Sequence, residues 1–419
     1  MIYKAEIFDK FQYLFEETGF NDHQLHCVIS FLEKIDTEVM KKSFGLLLKV
    51  MPILSCAYRM KDGEAYWESV DAISVENIFT ITKNEKDFQN FTTSRTNELA
   101  GPQIKACLYQ ATRGASISII LNHMITDAGG FKQCIYILSD LYSKLLENPN
   151  YIPDFKIDGD RSFDRIISEV SLFDKTKALL LHNKESNQKS RDQLNMSSDK
   201  EIAPFILTQL IAEDRYLSMI EYCKNRKVTV NDVILAAYDR VLAKLLKAEG
   251  RTLGIPIMVD MRRYLKDKSF QALSNLTSTV ITNIKINAGE TFEETVKKVN
   301  QEMNQLKSKN LGLNGFMKLA FAIKIFNEKT SYKIIKKYLT NPLICTTNIG
   351  IIDSQKLVFK GSKIENVFMC GSIKYRPHFQ MALSSFQNTI TLSSNLYGSR
   401  EDKEAIRKLL IEVVNELPK

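Results

Sequence analysis

Alternating and helically spaced runs of apolar residues succeed one another along the chain, and their order predicts mixed α/β layers. "HCVISFLE" reads as a strand, after which Val39/Met40, Phe44, Leu47, Val50/Met51 and Leu54 recur at helical spacing. Asp36 or Thr37 is available as the N-cap of that helix. "QIKACLYQ" alternates through Ile104, Ala106 and Leu108, as a half-buried strand does. In the next strand Ile117 and Ile119 alternate with Ser116 and Ser118, and Ile120 and Leu121 lead to His123. A helix then places Phe131, Cys134/Ile135, Leu138, Leu141/Tyr142 and Leu145 on one face.

The periodicity lapses in "DKTKALLLHNKESNQKSRDQLNMSSDKEIAP", which reads largely as a linker. The expected organisation is 1–172, a linker over 173–202, and 203–419. In the second part Thr229 and Asp232 form a capping-box-like start, and Val233/Ile234, Ala237, Val241 and Leu245 supply the stripe. Strands are expected at "GIPIMVD", "TSTVITNIKIN", "PLICTTNIGI" and "TITLSSNLYG", and helices at "TFEETVKKVNQEMNQLKS" and "EDKEAIRKLLIEVVNEL".

Composition narrows the class. A chain of 419 residues suits two domains of about 200 each. Its 44% hydrophobic and 25% charged residues argue against disorder. The seven cysteines are scattered without a C-x-x-C pair, which disfavours a disulfide framework or zinc site and suits a reducing compartment. The first residues contain no apolar signal core, and no apolar run approaches the roughly 20 residues that span a bilayer. A soluble, cytoplasmic protein is expected. The net charge of +8 fits a lysine-rich surface, or attraction to a phosphorylated cofactor or acidic carrier protein. "KIIKKYL" (333–339) lacks the features of a nucleic-acid module, so no nucleic acid is expected. Neither G-x-G-x-x-G nor a Walker A sequence is present.

The candidate chemistry lies in "NHMITDAGG" (122–130). A histidine ending a strand, followed by an aspartate and two glycines, stands where functional residues are often presented. The residues alone leave two readings open, a general base or a satisfied loop histidine. His378 is a tunnel-lining or a surface residue; His23 and His26 have no evident partners; Arg263 reads as solvated and Trp67 as a packing residue.

This stretch resembles the H-x-x-x-D-G signature of the acyltransferase superfamily that includes chloramphenicol acetyltransferase, BAHD and alcohol acyltransferases, and condensation domains. The similarity continues in order through "DTEVMKKSFGLLLKVMPILSCAYR", "PQIKACLYQ", "VTVNDVILAAYDRVLAKL", "GIPIMVDMRRYL", "LICTTNIGIID" and "MALSSFQNTITLSSNLYG". It implies an α/β fold, a mixed-sheet two-layer sandwich of two chloramphenicol acetyltransferase-like halves with the active-site tunnel at their interface. It also implies acyl transfer from a coenzyme A or carrier-protein thioester to an alcohol or amine. His123 would be the general base. Asp127 would be a buried partner ion-paired with Arg262, and Gly129 and Gly130 would shape the turn. Thr347, Asn348 and Ser384 would be candidates for oxyanion or substrate contacts. No metal or permanently bound cofactor is implied, the acyl-coenzyme A or phosphopantetheine thioester being a co-substrate. A monomer is expected.

Three departures bear on the subclass. Ala128 stands where many relatives have glycine, Asn122 where condensation domains have a second histidine, and the D-F-G-W-G element is missing. Asn122 favours a free-standing acyltransferase, the missing element sets aside a BAHD enzyme, and Ala128 with the absent second histidine motivates a non-catalytic reading. A condensation-type catalyst between carrier proteins and a non-catalytic binding module are the alternatives.

Overall fold

The computed structural model describes residues 1–71, 73–180, 192–318 and 341–418. Residues 181–191 of the expected linker and 333–339 therefore lie outside the described residues. The linker opens in a helix, Leu172–Leu180. The architecture is mixed α/β, as the periodicities predict.

A small antiparallel sheet joins β1 (Ile2–Lys4), β4 (Glu64–Ser69) and β3 (Cys56–Lys61). A five-stranded sheet runs β12 (Ile364–Cys370), β2 (Gln24–Phe31), β7 (Ala115–Asn122), β6 (Ile104–Gln110) and β5 (Phe79–Thr82). A seven-stranded sheet runs β10 (Thr277–Lys285), β9 (Thr252–Asp260), β11 (Ile344–Ile352), β14 (Phe379–Phe386), β15 (Thr389–Gly398) and β13 (Lys374–Tyr375). β8 (Ala203–Ile211) also lies along β15. Strand β12 comes late in the chain yet pairs antiparallel with β2, so 203–419 completes a sheet built otherwise from the first 122 residues.

Each larger sheet carries its own core. Helices Thr37–Val50 and Ala128–Glu147 bury Phe44, Leu47, Phe131 and Leu138 with Leu25, Ile117 and Ile119 of the five-stranded sheet. Helices Val230–Leu245, Phe292–Ser308 and Arg400–Glu416 bury Val233, Val299 and Leu410 with Ile255, Met381 and Leu392 of the other. Ala382 and Phe386 of β14 enter the first core, which presses the two sheets together.

Local chemistry sets the helix boundaries. Asp36 caps the first of these helices by accepting from Val39 N–H at 2.9 Å. The helical spacing read through Leu54 stops at Val50, and Pro52–Ser55 forms a 3₁₀ turn before β3. Proline drives the preceding residue out of the α region, and Met51 sits at φ −122°, ψ 78°. Thr229 and Asp232 make the expected capping box. The seven cysteines are buried and free. Trp67 is fully buried, as a packing residue should be, and its indole N–H donates to Asp9 Oδ2 at 2.9 Å. Among the described residues, no helix is long and apolar enough to cross a membrane.

Candidate active site

β2 and β7 pair antiparallel with Gln24 opposite Asn122, so His23 and His123 stand side by side at one end of the sheet. His123 N–H donates to the His23 carbonyl at 2.8 Å. Asn122 is buried and occupied structurally: its Oδ1 accepts from Met124 N–H and its Nδ2 donates to Gln103 Oε1, each at 2.8 Å. The residue in place of a second histidine thus fixes the turn.

The half-buried His123 ring is oriented by oxygens. Nδ1 lies 2.8 Å from the Thr126 carbonyl and 3.2 Å from Asn275 Oδ1. The Asn275 amide is itself fixed, because its Nδ2 donates to the carbonyls of His123 (2.8 Å) and Met124 (2.9 Å). Both neighbours of Nδ1 are therefore acceptors, which places the proton on Nδ1 and leaves a lone pair on Nε2 in the neutral ring. Burial lowers the pKa of His123 from its ordinary 6.5, against the opposing charge of Asp127 and the Thr126 carbonyl.

Asp127 holds this turn to the second sheet. It caps helix Ala128–Glu147 through Gly130 N–H at 3.1 Å. Its Oδ2 accepts from Arg262 Nη1 (2.9 Å), Leu276 N–H (2.7 Å) and Thr277 Oγ1–H (3.1 Å). Arg262 also reaches Asp260 Oδ1 at 3.2 Å and the Ser274 carbonyl at 2.8 Å. Burial raises the Asp127 pKa, but the Arg262 charge and the N–H donors more than offset it, so the carboxyl titrates below its usual range. Gly129 and Gly130 serve close approach. A Cβ would lie 2.7 Å from Arg262 Nη1 at the first and 2.1 Å from Thr126 Oγ1 at the second.

Three features had no usable sequence signal. Asn275, within "LSNLTS", reaches His123 across 152 positions. Arg161 is buried and pairs bidentately with Asp9 at 2.9 and 3.0 Å, while donating to the carbonyls of Ile125 and Leu273. It therefore props the His123 turn and the segment leading to Asn275 together. His23, for which the sequence makes no partner evident, has its Nδ1 2.8 Å from Glu16 Oε2 and its Nε2 3.3 Å from Glu98 Oε2. Arg95 Nη2 joins this cluster at 2.6 Å from Glu16.

Thr347, Asn348 and Ser384 are not gathered at one point. Ser384 faces the five-stranded sheet, where its Oγ accepts from Met369 N–H at 3.2 Å. Asn348 is exposed; its Nδ2 donates to Asn231 Oδ1 at 2.9 Å and its Oδ1 accepts from Gly350 N–H at 2.8 Å. Thr347 is half-buried and in register with Ala382. β9 and β11 share only the pair Ile257–Thr346, and a cleft of about 380 Å³ opens there. Leu235, Ile257 and Leu383 are among its apolar lining residues, with Asn231, Asp260 and Arg263 supplying polar groups. His378 is half-buried, with Nδ1 2.9 Å from the Pro342 carbonyl and its ring edge-on to Phe20.

Residues 273–417 match the WS/DGAT C-terminal domain family. Curated protein sequences gave no match. Similar solved structures cover nearly the whole chain. The first condensation domain of the calcium-dependent antibiotic synthetase, with a substrate analogue, has a TM-score of 0.72 at 10% identity, covering 99% of this chain and 96% of that one. Trichothecene 15-O-acetyltransferase from Fusarium sporotrichioides gives 0.70 at 12% identity, covering 100% and 96%. Polyketide synthase associated protein 5 from Mycobacterium tuberculosis gives 0.68 at 12% identity, covering 99% and 98%. The chain shares the two-half, chloramphenicol acetyltransferase-like fold of these condensation and acetyltransferase structures.

Proposed function

We propose that this chain is an acyltransferase that moves an acyl group from a coenzyme A or carrier-protein thioester to an alcohol or amine, with His123 as general base. The carrying observation is the His123 ring: Nδ1 faces two carbonyl-type oxygens, so Nε2 holds the available lone pair. Nε2 takes the proton of the acceptor O–H or N–H as its oxygen or nitrogen attacks the thioester carbonyl. The tetrahedral intermediate then expels the thiolate, to which the imidazolium returns the proton. The lowered pKa keeps the ring neutral near pH 7, the form this step needs.

Asp127 and Arg262 act as positioning residues, tying the turn to the second sheet. We assign the cleft at Asp260 and Arg263 to the donor's pantetheine arm, since its apolar floor, edged by the amides of Asn231 and Asn348, suits a chain that alternates methylene and amide groups. The match to the WS/DGAT C-terminal domain and the likeness to an acetyltransferase support acyl transfer at the coarser level.

The test is release of free thiol from a series of acyl-coenzyme A esters, acetyl to long-chain, with pooled alcohols and amines. Acceptor-dependent release is expected in the native protein and its loss in His123→Ala. Equal release by both proteins would remove His123 from the mechanism.

A further inference from the structure

Behind His123 lies a buried group that the mechanism above does not use. Lys374 begins β13, next to Ile373 and Asn21, and is only 3% exposed. Its ammonium sits 3.8 Å from the centroid of the Phe20 ring. Among the described residues no carboxylate lies within 4.0 Å of it, and it donates no hydrogen bond to them. Burial leaves the amine with a pKa of about 8. The groups that feel its charge are Asp22, Cys345, His123 and His378, which come from both larger sheets and their approaches.

Asp22, whose charge acts on Lys374, is also incompletely partnered. Asp22 is fully buried; its Oδ1 accepts from Gln24 N–H at 3.2 Å and Ile373 N–H at 2.9 Å, but among the described residues its Oδ2 has no partner. Ser372 Oγ, Ser393 Oγ and Asn395 Oδ1 are likewise buried without partners among the described residues. A buried ammonium and a run of unpaired polar atoms are costly unless a polar guest completes them. The guest must offer an anion to Lys374 and a donor to Asp22 Oδ2. An aliphatic alcohol offers no anion. A hydroxy- or amino-carboxylate that carries a second O–H or N–H offers both, together with a nucleophile for the neighbouring His123.

We propose that Lys374 anchors the carboxylate of the acyl acceptor, so that this site accepts hydroxy- or amino-carboxylates in preference to neutral alcohols and amines. This deepens the acyl-transfer reading and rests on it for the word acceptor. The anchor itself is tested by binding alone. Hydroxy- and amino-carboxylates are titrated calorimetrically against the native protein, without a donor, each beside its own methyl ester.

Native protein is expected to bind the free acid of at least one pair more tightly than the ester. Lys374→Met is expected to lower that acid-to-ester ratio roughly 10- to 100-fold, the worth of one charge-assisted hydrogen bond. A thermal melt verifies folding. If Lys374→Met fails to fold, the Asp22→Asn/Lys374→Met double variant replaces it, both buried charges being removed together. Equal binding of acids and esters by native protein, or a ratio untouched by the substitution, overturns the anchor and leaves Lys374 as a counter-charge for Asp22. Failure of the acyl-transfer reading shows separately, as thiol release that His123→Ala does not change.

Discussion

His123 and His23 end neighbouring strands and are joined by a backbone hydrogen bond, yet their surroundings drive them in opposite directions. Among the described residues, oxygens approach only Nδ1 of His123, and burial lowers its pKa. His23 is fully buried, but a carboxylate faces each of its nitrogens, and although burial pulls its pKa down, Glu16 and Glu98 raise it above 6.5. It also holds φ at +43°, a conformation uncommon for a residue with a side chain. In the proposed mechanism the first ring serves as a neutral base, while the second is the more readily protonated of the two. The difference lies in what the two rings face, since both are imidazoles at equivalent strand ends.

The largest effect is expected from removing the base. His123→Ala should lower acceptor-dependent thiol release by about 10²–10⁴-fold while the fold is retained, a range typical for loss of a general base. His23→Ala should act first on stability. A variant pair with the opposite pattern would reverse the two roles.

Next comes the tie between the sheets. Arg262→Met leaves the buried Asp127 carboxylate without its guanidinium, a change that typically costs about 3–5 kcal/mol. Denaturant unfolding should show that loss, and Asp127→Asn in the same chain should recover part of it. No recovery would mean that the two residues do not act as a pair.

The fold and site were legible where the signal is local. Helical and alternating spacing located the elements around Phe44, Ile117 and Val233, because burying one face imposes a period on the sequence. His123, Asp127 and Arg262 stand at the turns where two such elements end. β12 could not be placed, because its position depends on pairing with β2 more than 330 residues earlier. Asn275 and Arg161 act through bonds to distant backbone, which leave no mark on their own neighbours in sequence. Glu16 and Glu98 converge on His23 from a helix and a loop, so no spacing announces the cluster.

A smaller effect should separate the histidines by pH. Glu16 titrates at about 2, and Glu98 also lies below 4.5; hydrogen bonds from His23 to both carboxylates, and from Arg95 to Glu16, outweigh the burial that would raise them. Their stabilisation is present above 4.5, the unfolded value, and is lost as pH falls through the folded values. The raised His23 pKa works the other way: its stabilisation is complete below 6.5 and disappears as pH rises through the folded value. The cluster therefore contributes most between 4.5 and 6.5. His23→Gln should cost about 1–3 kcal/mol in that window and less above it, read from urea unfolding at a series of pH values. A cost that does not vary with pH would show that His23 is not a charged strut.

The finest test concerns Asn275, which orients the base without itself touching an acceptor in this assignment. Its Oδ1 accepts from Nδ1–H, an interaction that strengthens as the ring becomes imidazolium. Asn275→Ala should therefore lower kcat by about 10-fold, with KM little changed. A merely structural role could produce that loss, so the pH profile is the sharper reading. The native rate should rise with pH through a pKa below 6.5, where His123 loses its proton. Asn275→Ala weakens the imidazolium and should move this acid limb to lower pH. Asn275→Asp places a carboxylate against Nδ1–H and should move it to higher pH. Opposite displacements would tie Asn275 to the protonation of His123, whereas an acid limb fixed in both variants would confine it to holding the carbonyls of His123 and Met124.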